Sequence, residues 1–248
     1  MWAFRARGER LRPHRSRTYR QPAGAVQPFA CRASFTIAWA AALLGAIAVA
    51  TRPLDAAERE VKIVALGDSL TAGLGLAADQ AFPAKLAQAL RRKGIPVEVA
   101  NAGVSGDTAA DGAARLDWSV PEGTDAVIVE LGANDALRGI DPQRTRAALE
   151  KILRRLAERH VAVLLAGMRA PRNLGGAYVE AFDAIFPELA STFGVALYSF
   201  FLEGVATERA LNQPDGLHPT AAGVDAIVAR MLPAVEALVA KVRADRGS

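Results

Sequence analysis

Four short strings in this chain carry the residue types of a nucleophilic acyl-transfer site. They are Gly67-Asp68-Ser69-Leu70, Asn101-Ala102-Gly103, Gly132-Ala133-Asn134-Asp135 and Asp215-Gly216-Leu217-His218-Pro219. Acyl transfer near neutral pH needs a nucleophile, a base for its proton, a group to orient the base, and donors for the developing oxyanion. Ser69 offers the nucleophile, His218 the base and Asp215 the orienting carboxylate. The backbone N–H of Ser69, the N–H of Gly103 and the side-chain amide of Asn134 offer the donors. Asp215 precedes His218 by three positions, a spacing that puts both on one face of a turn or helical segment. A carboxylate accepting from Nδ1–H there leaves Nε2 free to face the serine. Glycine at 103 permits close backbone approach because it has no Cβ. Asp68 and Asp135 are expected to hold their loops through backbone hydrogen bonds.

Each string alone has a duller reading. A serine after a strand is commonly a cap or a turn former, Asp215-Gly216 is an ordinary turn dipeptide, and Asn134 suits a strand end. The Gly-x-Ser-x-Gly elbow is absent. Of the three histidines, His14 lies in a basic leader, and His160 opens an apolar run and reads as structural. Gly73-Leu74-Gly75-Leu76-Ala77-Ala78 matches a dinucleotide fingerprint, with Glu98 at a suitable distance. Its glycines do not close the turn directly after a strand, however, because residues 67–72 intervene. One cysteine, scattered histidines and no His-Glu-x-x-His or Cys-x-x-Cys leave no metal-ligand pattern. Neither a metal nor a cofactor is expected.

Taken together and in this order, the strings resemble the SGNH (GDSL) hydrolase family. The longer stretches Val64-Ala65-Leu66-Gly67-Asp68-Ser69-Leu70-Thr71-Ala72-Gly73, Asn101-Ala102-Gly103-Val104-Ser105-Gly106-Asp107-Thr108 and Glu130-Leu131-Gly132-Ala133-Asn134-Asp135-Ala136-Leu137-Arg138-Gly139 are most similar to its bacterial thioesterase I, lysophospholipase L1 and arylesterase branch. The resemblance spans roughly residues 61–240. It implies a flavodoxin-like three-layer α/β/α sandwich with a five-stranded parallel sheet, and a monomeric serine esterase acting on acyl esters, thioesters and lysophospholipids. It also implies substrate contacts at Asp68, Leu70, Asn173 and Leu174, and a mobile acyl-pocket wall over 169–178. In that branch an aromatic usually follows the asparagine where this chain has Leu174, which leaves chain-length preference open. An envelope carbohydrate deacetylase of the same fold, a non-catalytic envelope binding module and a dinucleotide-dependent oxidoreductase stand as alternatives.

The elements that must position these residues are legible as alternation. Apolar runs at 61–66, 96–100, 125–131, 161–166 and 195–197 read as strands, several nearly continuous in apolar residues, as parallel strands covered on both faces should be. Amphipathic segments lie between them. Phe82-Pro83 opens one that closes at Gly94. Asp141-Pro142 caps another, in which Ala148, Ile152 and Leu156 recur on one face. Thr220 can cap a last helix running toward Lys241. Strand–helix alternation of this kind argues for a single parallel α/β domain over 61–242. In open parallel sheets, ligands bind beyond the carboxyl ends of strands, where the first three strings fall.

With 51% apolar and 23% charged residues the 248-residue chain reads as one globular domain with an appendage. Its net charge of +4 is unevenly placed: eight arginines precede residue 33 against the single acid Glu9, so the remainder is net negative. A nucleic-acid partner is not expected. The uncharged stretch 33–51 ends in Ala48-Val49-Ala50, a small-x-small cleavage pattern. A cleaved export signal within 1–50 and an uncleaved membrane anchor both fit, giving a periplasmic, secreted or inner-membrane-anchored domain. Membrane contact is expected only through that segment. Cys31, the sole cysteine, leaves no intrachain disulfide, and it precedes the apolar stretch that a lipoprotein cysteine would follow.

Overall fold

The computed structural model describes residues 59–247; the leader and the apolar stretch lie outside them. Five strands, β1 (Val61–Gly67), β2 (Val97–Gly103), β3 (Ala126–Glu130), β4 (Ala162–Ala166) and β5 (Ala196–Tyr198), form one parallel sheet in the order β2-β1-β3-β4-β5. The helices are α1 (Ser69–Ala72), α2 (Phe82–Arg92), α3 (Ala109–Ala114), α4 (Leu116–Ser119), α5 (Ala133–Leu137), α6 (Pro142–Glu158), α7 (Gly176–Asp183), α8 (Ile185–Phe193) and α9 (Ala221–Arg246). α2 packs on α9, and α9 also crosses β1, β3, β4 and β5; α3, α6 and α8 pack together as the other layer. The expected three-layer α/β sandwich is what forms.

The central strands read as apolar runs because both faces are covered: every residue of β3, and all of β1 except Lys62, is buried. β2 is an edge strand and only its Val97 is buried. α6 begins as its sequence requires, with Asp141 accepting from the Gln143 N–H and Pro142 in the first turn, and it buries Thr145, Leu149, Ile152, Leu153 and Leu156. α9 is capped by the Thr220 hydroxyl and extends beyond the expected end to Arg246. His160 does not open a strand. It closes α6 with φ +53°, its N–H on the Ala157 carbonyl, and β4 starts two residues later. Among the described residues, no helix is long and apolar enough to cross a membrane.

Candidate active site

Sheet register brings three of the four strings to one rim. Gly67, the last residue of β1, pairs with Gly103 of β2 on one side and Glu130 of β3 on the other. The chain after each therefore leaves the sheet at the same level. After β1 it turns at once into α1, because the Asp68 carboxylate accepts from the Leu70 N–H at 3.0 Å and so caps one helical turn. Gly73, with φ +80°, ends that turn. Ser69 thus stands at a helix start rather than in an open turn.

The fourth string arrives on a hairpin. Asn212 and Pro219 form an antiparallel bridge, the Gln213 N–H donates to the His218 carbonyl at 2.7 Å, and Gly216 turns the tip with φ +70°. The Gln213 amide donates to the Leu74 carbonyl at 2.7 Å and to the Pro219 carbonyl at 2.9 Å. It therefore ties the hairpin to the segment that follows α1. The result is a continuous row: Asp215 Oδ2 lies 2.7 Å from His218 Nδ1, and His218 Nε2 lies 3.0 Å from Ser69 Oγ. Asp215 Oδ1 accepts the backbone N–H groups of Leu217 (2.9 Å) and His218 (3.0 Å). Those two amides and the ring hold the Asp215 carboxyl down at about 2, so the charge facing the imidazole persists throughout the neutral range.

Asp68 lies beneath this row and contributes differently from the substrate contact expected of it. It is fully buried, so it cannot touch a ligand; its Oδ2 accepts from Asn134 Nδ2 at 3.0 Å. Burial raises its pKa to about 6, against the opposing pull of the Leu70 N–H, the Asn134 amide and the nearby His218. Glu130 sits alongside, also fully buried, accepting the Thr71 hydroxyl at 2.7 Å. Burial and the Asp68 charge push its carboxyl well above the ordinary range. Asp135 holds its loop as expected, by the Ala109 N–H at 2.9 Å and the Thr145 hydroxyl at 3.0 Å.

The oxyanion donors need one correction and one addition. Gly103 is not placed to donate. In a parallel ladder successive N–H groups point to opposite sides; the Val104 N–H bonds Gly67 of β1, so the Gly103 N–H faces the open edge, where the Asn101 side chain takes it at 2.9 Å. Its lack of a Cβ serves packing, since a Cβ there would lie 2.3 Å from the Ala72 nitrogen. Gly106, three residues on, is better placed. It has φ +90° and sits in the turn beside Asn134, and among the described residues neither its N–H nor that of Ser69 has an acceptor. Asn134 Nδ2 donates to both Asp68 and the Asp107 carbonyl, each at 3.0 Å. Both its hydrogens are engaged at rest.

A cleft of about 630 Å³ opens at Ser69, Asn134 and His218, and Leu70, Met168, Phe200 and Leu202 supply much of its apolar lining. Leu70 is where the resemblance puts it. Asn173 and Leu174 are not: both are exposed on a single turn of 3-10 helix, and the wall ends at Arg172. A larger cavity, about 770 Å³, lies at the amino ends of β3–β5 around Asp125, His160 and Val195. Neither serine nor cysteine lines it, and its Arg246 is paired with Asp125.

A model of the GDSL-like Lipase/Acylhydrolase family matches residues 65–226. Esterase TesA of Pseudomonas aeruginosa is 36% identical over 198 residues, covering 79% of this chain and 98% of the relative. Thioesterase 1/protease 1/lysophospholipase L1 of Escherichia coli K12 is 42% identical over 158 residues, 63% of this chain and 74% of the relative. The crystal structure of AlinE4, an SGNH-hydrolase family esterase, superposes with a TM-score of 0.61 at 47% identity, over 71% of this chain and 95% of its own. A family model that spans most of the folded domain, together with an esterase relative 36% identical over 98% of its length, places the chain in the GDSL-like lipase/acylhydrolase family.

Proposed function

We propose that the protein is an exported serine esterase that hydrolyses acyl esters and thioesters, lysophospholipids among them, through a Ser69–His218–Asp215 triad and an acyl-enzyme. The observation that carries the reading is the unbroken row of two short hydrogen bonds, 2.7 and 3.0 Å, opening onto an apolar cleft. Ser69 Oγ attacks the acyl carbonyl carbon while its proton passes to Nε2; the imidazolium is held by Asp215. The tetrahedral oxyanion takes the free N–H groups of Ser69 and Gly106, and one hydrogen of Asn134. Of the two acceptors Asn134 now serves, the Asp107 carbonyl is the one to yield, because a bond to the Asp68 carboxylate is charge-assisted and stronger. His218 then protonates the leaving oxygen or sulfur, and water attacks the acyl-enzyme with the same base.

An apolar wall beside the nucleophile favours acyl chains longer than acetyl over the acetyl-only substrates of a carbohydrate deacetylase. The test is a chain-length series of p-nitrophenyl esters and acyl thioesters on the purified domain, with Ser69→Ala as control. Catalytic efficiency should rise from acetyl into medium chains, and the variant should be inactive. A series that peaks at acetyl would favour the deacetylase. The names of the relatives, esterase, thioesterase and lysophospholipase, support the substrate range. Export rests on the basic leader and the small-x-small end of the apolar stretch, and N-terminal sequencing of the protein from cell envelopes tests it.

A further inference from the structure

Arg115 is a buried cation that none of the four motifs contains. It stands between α3 and α4, is 7% exposed, and spends all three guanidinium nitrogens on protein acceptors. Nε donates to Asp107 Oδ2 at 2.6 Å, Nη1 to the Ser119 hydroxyl at 2.9 Å, and Nη2 to the Gly67 carbonyl at 2.8 Å. A buried charge is costly unless paired and hydrogen-bonded, and one so placed calls for an account of what it holds.

Its two remote acceptors belong to the two halves of the oxyanion hole. The Gly67 carbonyl lies directly ahead of Asp68-Ser69, and it also accepts the Val104 N–H at 3.0 Å. Asp107 ends the 104–107 turn, closed by its own N–H on the Val104 carbonyl at 3.1 Å. That turn carries the free N–H of Gly106, and the Asp107 carbonyl receives Asn134. One rigid guanidinium fork therefore fixes the distance between the nucleophile's strand end and the turn that bears or steers two of the three donors. A planar fork presents its donors in fixed, widely spaced directions, whereas the three donors of an ammonium rotate about one compact centre. Arg138 also reaches this turn, at the Gly106 carbonyl (2.8 Å), but from the exposed side.

We propose that Arg115 and Asp107 are positioning residues that set the oxyanion hole: the pair holds the 104–107 turn so that Gly106 and Asn134 converge on the oxyanion formed at Ser69. This rests on the triad reading above. The test is a set of double-mutant cycles. Arg115→Lys keeps the cation but loses the fork, and Asp107→Asn is nearly isosteric; each is made alone and with Asn134→Ala. Turnover is measured with a p-nitrophenyl ester, per active site titrated by a fluorophosphonate, beside melting temperature. Misplacing catalytic donors by about 1 Å can cost on the order of 100-fold, so each single variant should lose about 10- to 100-fold in kcat with KM changed less than about threefold. In the Asn134→Ala background, where much of the positioned electrostatics is already gone, the further loss should shrink to under about tenfold, and clearly below the loss in the parent.

Equal fold-losses in both backgrounds would overturn the proposal. So would a lowered melting temperature with kcat per active site unchanged, the signature of a merely structural pair. If Arg115→Lys fails to fold, Asp107→Asn decides. The triad reading fails separately, by retained activity in Ser69→Ala.

Discussion

Replacing Asp215 with asparagine should be more damaging than its half-exposed position suggests, because the surrounding donors fix which way the amide must sit. Oδ1 accepts two backbone N–H groups, at 2.9 and 3.0 Å. An asparagine placed with its NH2 toward them would set donor against donor twice. The amide oxygen must therefore stay on Leu217 and His218, leaving the NH2 group 2.7 Å from His218 Nδ1. Nδ1 is then forced to accept, the ring proton moves to Nε2, and Nε2 can no longer take the proton of Ser69. The same tautomer inversion in a well-studied serine protease lowers kcat about 10⁴-fold, and a loss of that order is expected here. Asp215→Ala should lose less, since water can reach a side chain that is 45% exposed and serve as acceptor for Nδ1–H. The assay is steady-state hydrolysis of a short p-nitrophenyl ester by the wild type, Asp215→Asn and Asp215→Ala, normalised to titrated active sites. An Asp215→Asn enzyme within tenfold of the wild type, or more active than Asp215→Ala, would refute the tautomer argument.

Other perturbations separate catalysis from folding. Asn134→Ala should lower kcat by about 10²- to 10³-fold with KM largely spared, the usual cost of one oxyanion donor; steady-state kinetics reads it directly. Gly103→Ala should chiefly destabilise the fold, since its Cβ would strike the backbone of α1 at 2.3 Å. Gly106→Ala, at φ +90° with only the Arg138 guanidinium in ordinary contact at 3.7 Å, should cost turnover more than melting temperature. Asp68 makes a pH prediction whose sign is the reverse of the usual paired carboxylate. Its pKa rises from 3.8 to about 6 on folding, so between these values the folded state holds more protons than the unfolded chain. That group's contribution therefore makes stability fall as pH rises from about 4 to 6, by at most about 3 kcal/mol. Denaturant titrations of Asp68→Asn should lack this component, and an unchanged pH slope would count against it.

The sheet was legible because its central strands are buried on both faces and so are written as unbroken apolar runs. β2 was harder: as an edge strand it buries only Val97, and its pairing continues through Asn101-Ala102-Gly103, where composition suggested a loop. That difference of three residues underlies the misassigned donor. A glycine in a loop could point its N–H anywhere, but the last paired residue of an edge strand has its direction set by the ladder. Gly106 lies in the same stretch, residues 101–108, and its place in the turn beyond the strand was the available signal. The Asp215–His218 contact was readable because their spacing is local. Asp68 reads as a loop anchor in sequence, whereas its burial under Asn134 depends on a contact 66 residues away. Arg115 gave no signal, since one of its acceptors is 48 residues distant and both remote acceptors are defined only by the folded rim.

The most direct measurement is phosphonylation of the purified protein with a fluorophosphonate, followed by peptide mapping. One equivalent of label should appear on Ser69, in step with loss of esterase activity, and Ser69→Ala should neither label nor hydrolyse. Label on a different residue, or full hydrolysis by Ser69→Ala, would contradict the assignment of the nucleophile.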